Sequence, residues 1–187
     1  MSAAMMDGNT QKMTGVINIE ETKNPIQVAA KIRAMGVVDR LLGGHGATKW
    51  AREHGFEKFS TETPLRRAEY EAKVKSTRTG TVGCVALDQE GKLAVGTSTG
   101  GKGWEIPGRV SDSATVAGNY CNELCGCLAT GVGEDIVSNA TAAKIVARVT
   151  DGMTLEMAFE KTFNEMKHYK GLAGAVAIDS KGNIFHD

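Results

Sequence analysis

Apolar positions in the first part of the chain recur at helical spacing in two places. Behind Asn24-Pro25, the segment IQVAAKIRAM predicts a short helix that ends at Gly36, because Asn-Pro is a typical helix start and glycine a typical stop. Residues 37–42 then predict a strand. The next segment, ATKWAREH, predicts a second helix that ends at Gly55.

The pattern changes over residues 60–80, STETPLRRAEYEAKVKSTRTG, which are charged and polar without a sustained apolar period. Such a stretch predicts a mobile linker or a weak, exposed helix. Because it offers few apolar side chains to the core, a break in the chain there would cost little folding energy.

Beyond residue 80 the pattern becomes that of β-hairpins. TVGCVALD and LAVGTST flank a turn at QEGK, and GAVAIDSKGNIFH repeats that spacing near the end of the sequence. The likeness of the two hairpins predicts neighbouring strands in a layered sheet. The order of helices, linker and hairpins favours an α/β fold, in which helices cover the sheet, over a helical bundle or an all-β barrel.

Two further helices are predicted between the hairpins, one beginning near Glu134 and one capped by Thr154. Each has one apolar face, which we interpret as core packing. The faces consist of Ile136, Ala140, Ala143 and Ala147 in the first helix, and of Leu155, Ala158, Phe159, Thr162, Phe163 and Met166 in the second.

Composition narrows the classes of function. The chain has 187 residues, 41% of them hydrophobic, which predicts a single domain over 1–187. Lys plus Arg and Asp plus Glu are balanced at 22 each, so no summed charge favours nucleic acid or an anionic membrane surface. We therefore expect a small, neutral or zwitterionic partner, and neither nucleic acid nor membrane.

The first residues, MSAAMMDGNTQK, contain an acid and no continuous apolar stretch, which indicates no signal peptide and predicts a cytoplasmic location. In that compartment Cys84, Cys121, Cys125 and Cys127 are expected to be reduced thiols. The C-x3-C-x-C spacing lacks the partners of a structural zinc site. Small buried thiols are the better interpretation, and no metal is predicted.

Residues 96–103, GTSTGGKG, nearly match a phosphate-binding P-loop. Gly103, however, stands where a Ser or Thr would bind magnesium, and Ile106-Pro107 prevents the helix that should follow. Nucleotide binding is therefore disfavoured, and no cofactor is predicted. His45, in Gly-His-Gly, is a candidate functional residue, but no histidine-based triad is visible.

A chemically suggestive junction lies at Gly80-Thr81-Val82-Gly83, where the polar linker meets the first strand of a hairpin. A threonine hydroxyl becomes a useful nucleophile when it is N-terminal, because its own α-amine can take the proton. Gly-Thr is also a common way for a strand to begin. The tetrapeptide alone leaves both interpretations open.

Read with IPGRVSDS and ATGVGEDI downstream, GTVGCVALDQEGKLAVGTSTGG resembles the β-subunit of the isoaspartyl peptidases and plant-type asparaginases, in which a nucleophilic threonine begins a GTVGAVALD-like strand. Upstream, SAAMMDG, the KNPI helix and GHGATKWAREHGFE resemble the latter part of that family's α-subunit. The resemblance implies a layered αββα N-terminal-nucleophile (Ntn) hydrolase sandwich. Residues 1–80, including the linker 60–80, would form the α-subunit part and residues 81–187 the β-subunit part.

Carried over position by position, the resemblance implies self-cleavage between Gly80 and Thr81. It implies an amidohydrolase that attacks the side-chain amide of L-asparagine or of β-aspartyl dipeptides, with an acyl-enzyme intermediate and a dimer of cleaved αβ units. Its implied site consists of Thr81 as nucleophile, Thr99 as its hydroxyl neighbour, Arg109 and Asp112 as the clamp on the substrate head group, Thr130 and Gly131 as the oxyanion site, and Gly133 in the same substrate-binding loop.

The sequence departs from the family pattern in several respects. The family's hydrophobic strand, glycine-rich stretch and alkali-ion-binding loop are not found before the MDG segment, and its closing strand is not found after Asp187. We therefore expect both sheets to be incomplete. WEIPGR also differs from the commoner Lys-x-Pro-Gly-Arg form. A truncated, inactive relative that serves as a binding or assembly subunit is the alternative, and a relative acting on glycosylated asparagine is a third possibility.

Overall fold

The computed structural model describes residues 1–72 and 80–187. Its strands are β1 (Ser2–Asp7), β2 (Lys12–Ile17), β3 (Leu41–Gly43), β4 (Thr81–Leu87), β5 (Leu93–Thr99), β6 (Asn119–Cys121), β7 (Cys125–Gly131), β8 (Ala173–Asp179) and β9 (Ile184–His186). Its helices are α1 (Pro25–Met35), α2 (Gly44–Glu53), α3 (Pro64–Glu71), α4 (Gly133–Asn139), α5 (Thr141–Thr150) and α6 (Leu155–Met166), and Asp112–Ala114 form a 3₁₀ turn.

The strands form two sheets that are stacked between helices. Within the described residues, the first sheet has the order β3-β2-β1-β5-β4 and the second the order β6-β7-β8-β9. Three apolar clusters separate the layers, one between α1, α2 and the first sheet, one between the sheets, and one between the second sheet and α5 with α6. This helix-sheet-sheet-helix arrangement confirms the predicted layered α/β fold.

The predicted hairpins form as β4–β5 and β8–β9. They lie in different sheets and are therefore not neighbouring strands of one sheet as the sequence suggested. The two sheets approach closely beside β4, where a Cβ on Gly83 would stand 2.6 Å from a methyl carbon of Leu128. A Cβ on Gly126 would stand 3.0 Å from a methyl carbon of Val85. Glycine at both positions lets the sheets pack this tightly.

The central strands β1 and β2 were not predicted, and the predicted strand at 37–42 is largely wrong. β1 lies between β2 and β5, and its Ala3 and Ala4 are both fully buried. A strand covered on both faces shows no alternation of apolar and polar residues, so the pattern that reveals a half-exposed strand is absent. Val38 is 91% exposed, and strand pairing begins only at Leu41.

The helix predicted from Glu134 is in fact two helices. Ala140 adopts a left-handed conformation with φ of 53°, which ends α4 and changes the direction of the chain before α5. The apolar face therefore shifts after the break. Ala142 and Ile145 are fully buried, whereas Ala147, expected on the core side, is exposed.

The other predicted helices are confirmed. α1 begins with proline and ends at Gly36, whose φ of 65° is the left-handed cap that glycine favours. α2 begins at Gly44, three residues earlier than predicted. In α6, the Thr154 hydroxyl accepts a hydrogen bond of 3.2 Å from the Met157 N–H, as an N-cap residue should.

In the described part of the predicted linker, residues 60–72 and 80, the chain forms helix α3, none of whose residues is buried. Thr63 caps it, and the aromatic ring of Tyr70 stacks on that of Trp104 with ring centroids 4.9 Å apart. Residues 73–79 lie outside the described part of the chain. The exposed-helix interpretation therefore holds for Pro64–Glu71.

All four cysteines are free thiols, with Cys121, Cys125 and Cys127 buried and Cys84 exposed. Burial raises the pKa of Cys121 and of Cys125 to about 12. Thiols of such low acidity behave as small apolar side chains, which agrees with the sequence interpretation. In residues 1–72 and 80–187, no helix is long and apolar enough to cross a membrane.

Phe159 is the largest fully buried side chain and packs against Phe163 and Phe185. We expect Phe159→Ala to lower the free energy of unfolding by about 3–5 kcal/mol, because it leaves a cavity between α6 and the second sheet. Urea denaturation measures the loss. Met157→Ala, on the same helix but 54% exposed, should change stability by less than about 1 kcal/mol. Equal losses in the two variants would contradict this assignment of the core.

Candidate active site

The predicted nucleophile lies at the first residue of β4. Antiparallel pairing of β4 with β5 places Thr81 directly opposite Thr99, the last residue of β5. Residues paired in this way have their side chains on the same face of the sheet. Two hydroxyl residues therefore lie side by side where the chain enters the sheet, directly after Gly80.

The Thr99 hydroxyl is fixed by two backbone groups. Its Oγ1 donates a hydrogen bond of 3.1 Å to the carbonyl oxygen of Gly80 and accepts one of 3.1 Å from the Gly101 N–H. The carbonyl that it contacts belongs to the peptide bond between Gly80 and Thr81. Thr99 is therefore placed to polarise that carbonyl.

These residues border a small cavity of about 10 Å³. A space of this size holds roughly one water molecule. The cavity is lined by Gly80, Thr81, Thr99, Gly101, Lys102, Arg109, Ser111, Asp112 and Gly131. Most of the site residues that the resemblance implied therefore come together from separate parts of the chain, although their roles stay predictions.

Arg109 is 13% exposed and faces a glutamate that sequence reasoning did not select. Its Nε and Nη2 donate to the two carboxylate oxygens of Glu134 at 3.0 and 3.1 Å, and Lys102 Nζ donates to the same carboxylate at 2.9 Å. Hydrogen bonds from Arg109 and then Lys102 lower the pKa of Glu134 to about 2. Glu134 thus stays ionised and fixes the plane of the guanidinium.

Asp112 begins the 3₁₀ turn, and its side chain is buried. One carboxylate oxygen, Oδ2, has no hydrogen-bond partner among the described residues. Burial raises the pKa of Asp112 to about 6, even though the positive charge of Arg109 opposes the shift. One oxygen of this carboxyl group is therefore a buried, unpaired acceptor, and the group lies beside a fixed cation.

A polar network behind Asp112 holds the 3₁₀ turn in place. Asn119 Nδ2 donates to the carbonyl oxygen of Ser113 at 2.8 Å and to Thr97 Oγ1 at 2.7 Å, and all three residues are buried. The Ser111 hydroxyl accepts a hydrogen bond of 3.2 Å from the Ser113 N–H. These contacts fix the backbone from which Asp112 projects.

Gly131 and Gly133 leave space for the neighbouring groups of the site. A Cβ on Gly133 would stand 2.7 Å from Asp112 Oδ1 and 2.8 Å from Arg109 Nη2, so a larger residue would push the two side chains apart. Gly131, with φ of 139°, lines the cavity at the end of β7. Thr130 precedes it, pairs with Gly174 in the sheet and is not among the residues that line the cavity.

Sequence reasoning missed several members of this site, among them Lys102, Ser111 and Glu134. Lys102 was weighed only as part of a P-loop. Glu134 directly follows Gly133 in ATGVGEDI, and its place in that motif was the available signal. His45, the remaining candidate, is exposed in the first turn of α2 and does not line the cavity.

Known proteins are similar to this chain over nearly its whole length. An isoaspartyl peptidase/L-asparaginase from Synechocystis is 43% identical over 98% of this chain and 61% of its own length. An isoaspartyl peptidase from Escherichia coli is 36% identical over 98% of this chain and 64% of its own length. A plant-type L-asparaginase from Pyrococcus abyssi is 34% identical over 98% of this chain and 68% of its own length.

The chain therefore spans less than two thirds of the Synechocystis relative. The family model described as asparaginase matches residues 1–186, which include every residue of the cavity. This match and the similarity to the three relatives confirm the resemblance seen in the motifs. The chain belongs to the asparaginase family that includes the isoaspartyl peptidases and plant-type L-asparaginases.

Proposed function

We propose that this chain is a self-processing amidohydrolase that attacks the side-chain amide of L-asparagine or of β-aspartyl dipeptides, with Thr81 as its N-terminal nucleophile. The observation that carries the proposal is the hydrogen bond of 3.1 Å from the Thr99 hydroxyl to the Gly80 carbonyl. The names of the relatives, which are isoaspartyl peptidases and L-asparaginases, support the substrate class.

Self-cleavage begins with attack of the Thr81 hydroxyl on the Gly80 carbonyl carbon. The C–N bond breaks, the nitrogen of Thr81 takes up the hydroxyl proton, and an ester joins Gly80 to the Thr81 oxygen. Water then hydrolyses the ester and leaves a carboxylate on Gly80 and a free α-amine on Thr81. The Thr99 hydroxyl stabilises the negative oxygen that develops on Gly80 during the attack.

Cleavage changes the chemistry of Thr81. A peptide nitrogen is not basic, whereas a free α-amine titrates near pH 8 and can take the proton from the adjacent hydroxyl. The cavity of about 10 Å³ is also too small for an amino acid while Gly80 remains attached. Release of the linker would therefore create both the base and the space for the substrate.

The charged groups suit an amino-acid head group. The Arg109 guanidinium binds the α-carboxylate, and the Asp112 carboxylate, whose Oδ1 lies with Arg109 Nη2 beside Gly133, accepts from the α-ammonium. The side-chain amide then faces Thr81. Attack of the Thr81 hydroxyl on this amide releases ammonia from asparagine, or an amino acid from a β-aspartyl dipeptide. Water then hydrolyses the remaining acyl-enzyme ester.

The oxyanion of this second reaction needs its own donors. Thr130 and Gly131 at the end of β7 supply them in our proposal, through a hydroxyl and a backbone N–H. Gly131 lies in the cavity wall, and Thr130 adjoins it in the same strand. Gly133 keeps Arg109 and Asp112 close together, because a side chain there would separate them.

Cleavage is the first prediction of this proposal. After incubation, the purified chain should give two fragments that meet between Gly80 and Thr81, as measured by intact mass under denaturing conditions. Thr81→Ala should give one uncut mass, since it lacks the nucleophile. A single mass from the unaltered chain would instead favour an inactive relative that acts as a binding or assembly subunit.

Thr99→Ala should slow self-cleavage about 10²–10³-fold, which is the usual effect of losing one oxyanion donor. The rate is measured from the decay of the uncut mass with time. Ser98→Ala is the matched control, because Ser98 is the adjacent residue of β5 and its side chain points to the opposite face of the sheet. Equal cleavage rates in Thr99→Ala and Ser98→Ala would exclude a role for the Thr99 hydroxyl.

The buried carboxyl of Asp112 predicts a dependence of stability on pH. Its pKa is about 6 in the folded chain against an ordinary 3.8, so between these values the unfolded chain loses the proton while the folded chain keeps it. Stability therefore falls as pH rises through this window. We expect Asp112→Asn to gain about 2–3 kcal/mol relative to the unaltered chain when the pH is raised from 4 to 7.

Urea denaturation at both pH values tests this expectation. Glu123→Gln, which removes one carboxylate from an exposed loop, is the control for a change in net charge. A stability difference between Asp112→Asn and the unaltered chain that is the same at pH 4 and pH 7 would show that Asp112 titrates normally.

A further inference from the structure

Arg109 has a second acidic neighbour, Glu105, that occupies the edge of the guanidinium left free by Glu134. Glu134 accepts hydrogen bonds from Nε and Nη2, whereas Glu105 Oε2 lies 3.7 Å from Nη1. At that distance the Glu105 carboxylate attracts the cation without forming a hydrogen bond. Both N–H groups of Nη1 therefore remain unused by Glu134.

The two oxygens of Glu105 have different surroundings. Oε1 accepts hydrogen bonds from the backbone N–H groups of Lys102 and Gly103, the latter at 3.3 Å. It also lies so close to Gly101 that a Cβ there would overlap it. Oε1 thus holds the glycine-rich loop beside the cavity, and Oε2 is left to face Arg109 Nη1.

The charges around Arg109 make this arrangement relevant to specificity. Lys102 is the other cation that reaches Glu134, and Asp112 is the third acid beside the guanidinium. Among the described residues, the side chains of two cations, Arg109 and Lys102, therefore face three carboxyl groups. A ligand with a carboxylate must compete with an acid that is already present at the free edge of Arg109.

We propose that Glu105 is a specificity-determining residue that occupies the place of the substrate α-carboxylate on Arg109 Nη1 and must be displaced when a small L-amino acid binds. Glu134, on the other edge, is a positioning residue that orients Arg109. This inference rests on the proposed function for the identity of the ligand. It predicts that the two glutamates, although both contact Arg109, affect substrate affinity in opposite directions.

The test compares Glu105→Gln with Glu134→Gln, using L-asparagine as substrate. Glu105→Gln keeps an amide oxygen for the loop N–H groups but removes the competing charge. It should lower KM about two- to five-fold with kcat unchanged, as expected for loss of one partly exposed ion pair. Glu134→Gln should raise KM, because Arg109 loses its bidentate partner. Glu90→Gln, in the exposed turn at the far end of the β4–β5 hairpin, controls for net charge.

Calorimetric titration of the same proteins with L-aspartate, which carries the same head group, separates this inference from catalysis. Tighter binding by Glu105→Gln without hydrolysis by any variant would support the role of Glu105 while contradicting the amidohydrolase. Hydrolysis with KM unchanged or raised in Glu105→Gln would overturn the inference and leave the proposed function standing. Failure of every variant to bind L-aspartate would count against both.

Discussion

The antiparallel register between β4 and β5 positions the chemical groups of the site. It places Thr81 opposite Thr99, so the Thr99 hydroxyl reaches the carbonyl of the residue before Thr81. A slip of one residue would turn one of the threonines to the other face of the sheet. The second sheet packs closely against this hairpin, since a Cβ on Gly83 would stand 2.6 Å from a methyl carbon of Leu128.

The site also illustrates a conflict between folding and binding. Asp112 is buried with an oxygen that no described residue satisfies, and burial makes its ionised form costly. A chain selected for stability alone would place a neutral residue there. The polar network of Thr97, Ser113 and Asn119 holds the turn in this unfavourable position.

Sequence reasoning was most successful where local pattern and motif agreed. The β4–β5 and β8–β9 hairpins and helices α1 and α6 followed from alternation, turns and caps, and the layered fold followed from their order. The buried strand β1 was missed because it does not alternate. The break at Ala140 was missed because alanine rarely adopts positive φ and gives no warning of it.

Most of the predicted site residues lie around one cavity because the motif spacing carried three-dimensional information that composition did not. The acidic partners of Arg109 were harder to predict from the sequence. Glu105 is four residues from Arg109 and Glu134 is in another motif, and nothing in one sequence says that both face the same guanidinium. Such pairings depend on how the loop folds back, which only the tertiary structure fixes.

The stacked rings of Tyr70 and Trp104 give the molecule an internal optical reporter. Trp104 is one of two tryptophans, and the other, Trp50, stacks on His54 in α2. Tyr70 belongs to the exposed helix that precedes the Gly80–Thr81 bond, whereas Trp104 belongs to the glycine-rich loop beside the cavity. Separation of that helix from the loop would expose the indole face to water and shift its fluorescence, so a Trp50→Phe variant, in which Trp104 is the remaining tryptophan, reports on this contact without any added label.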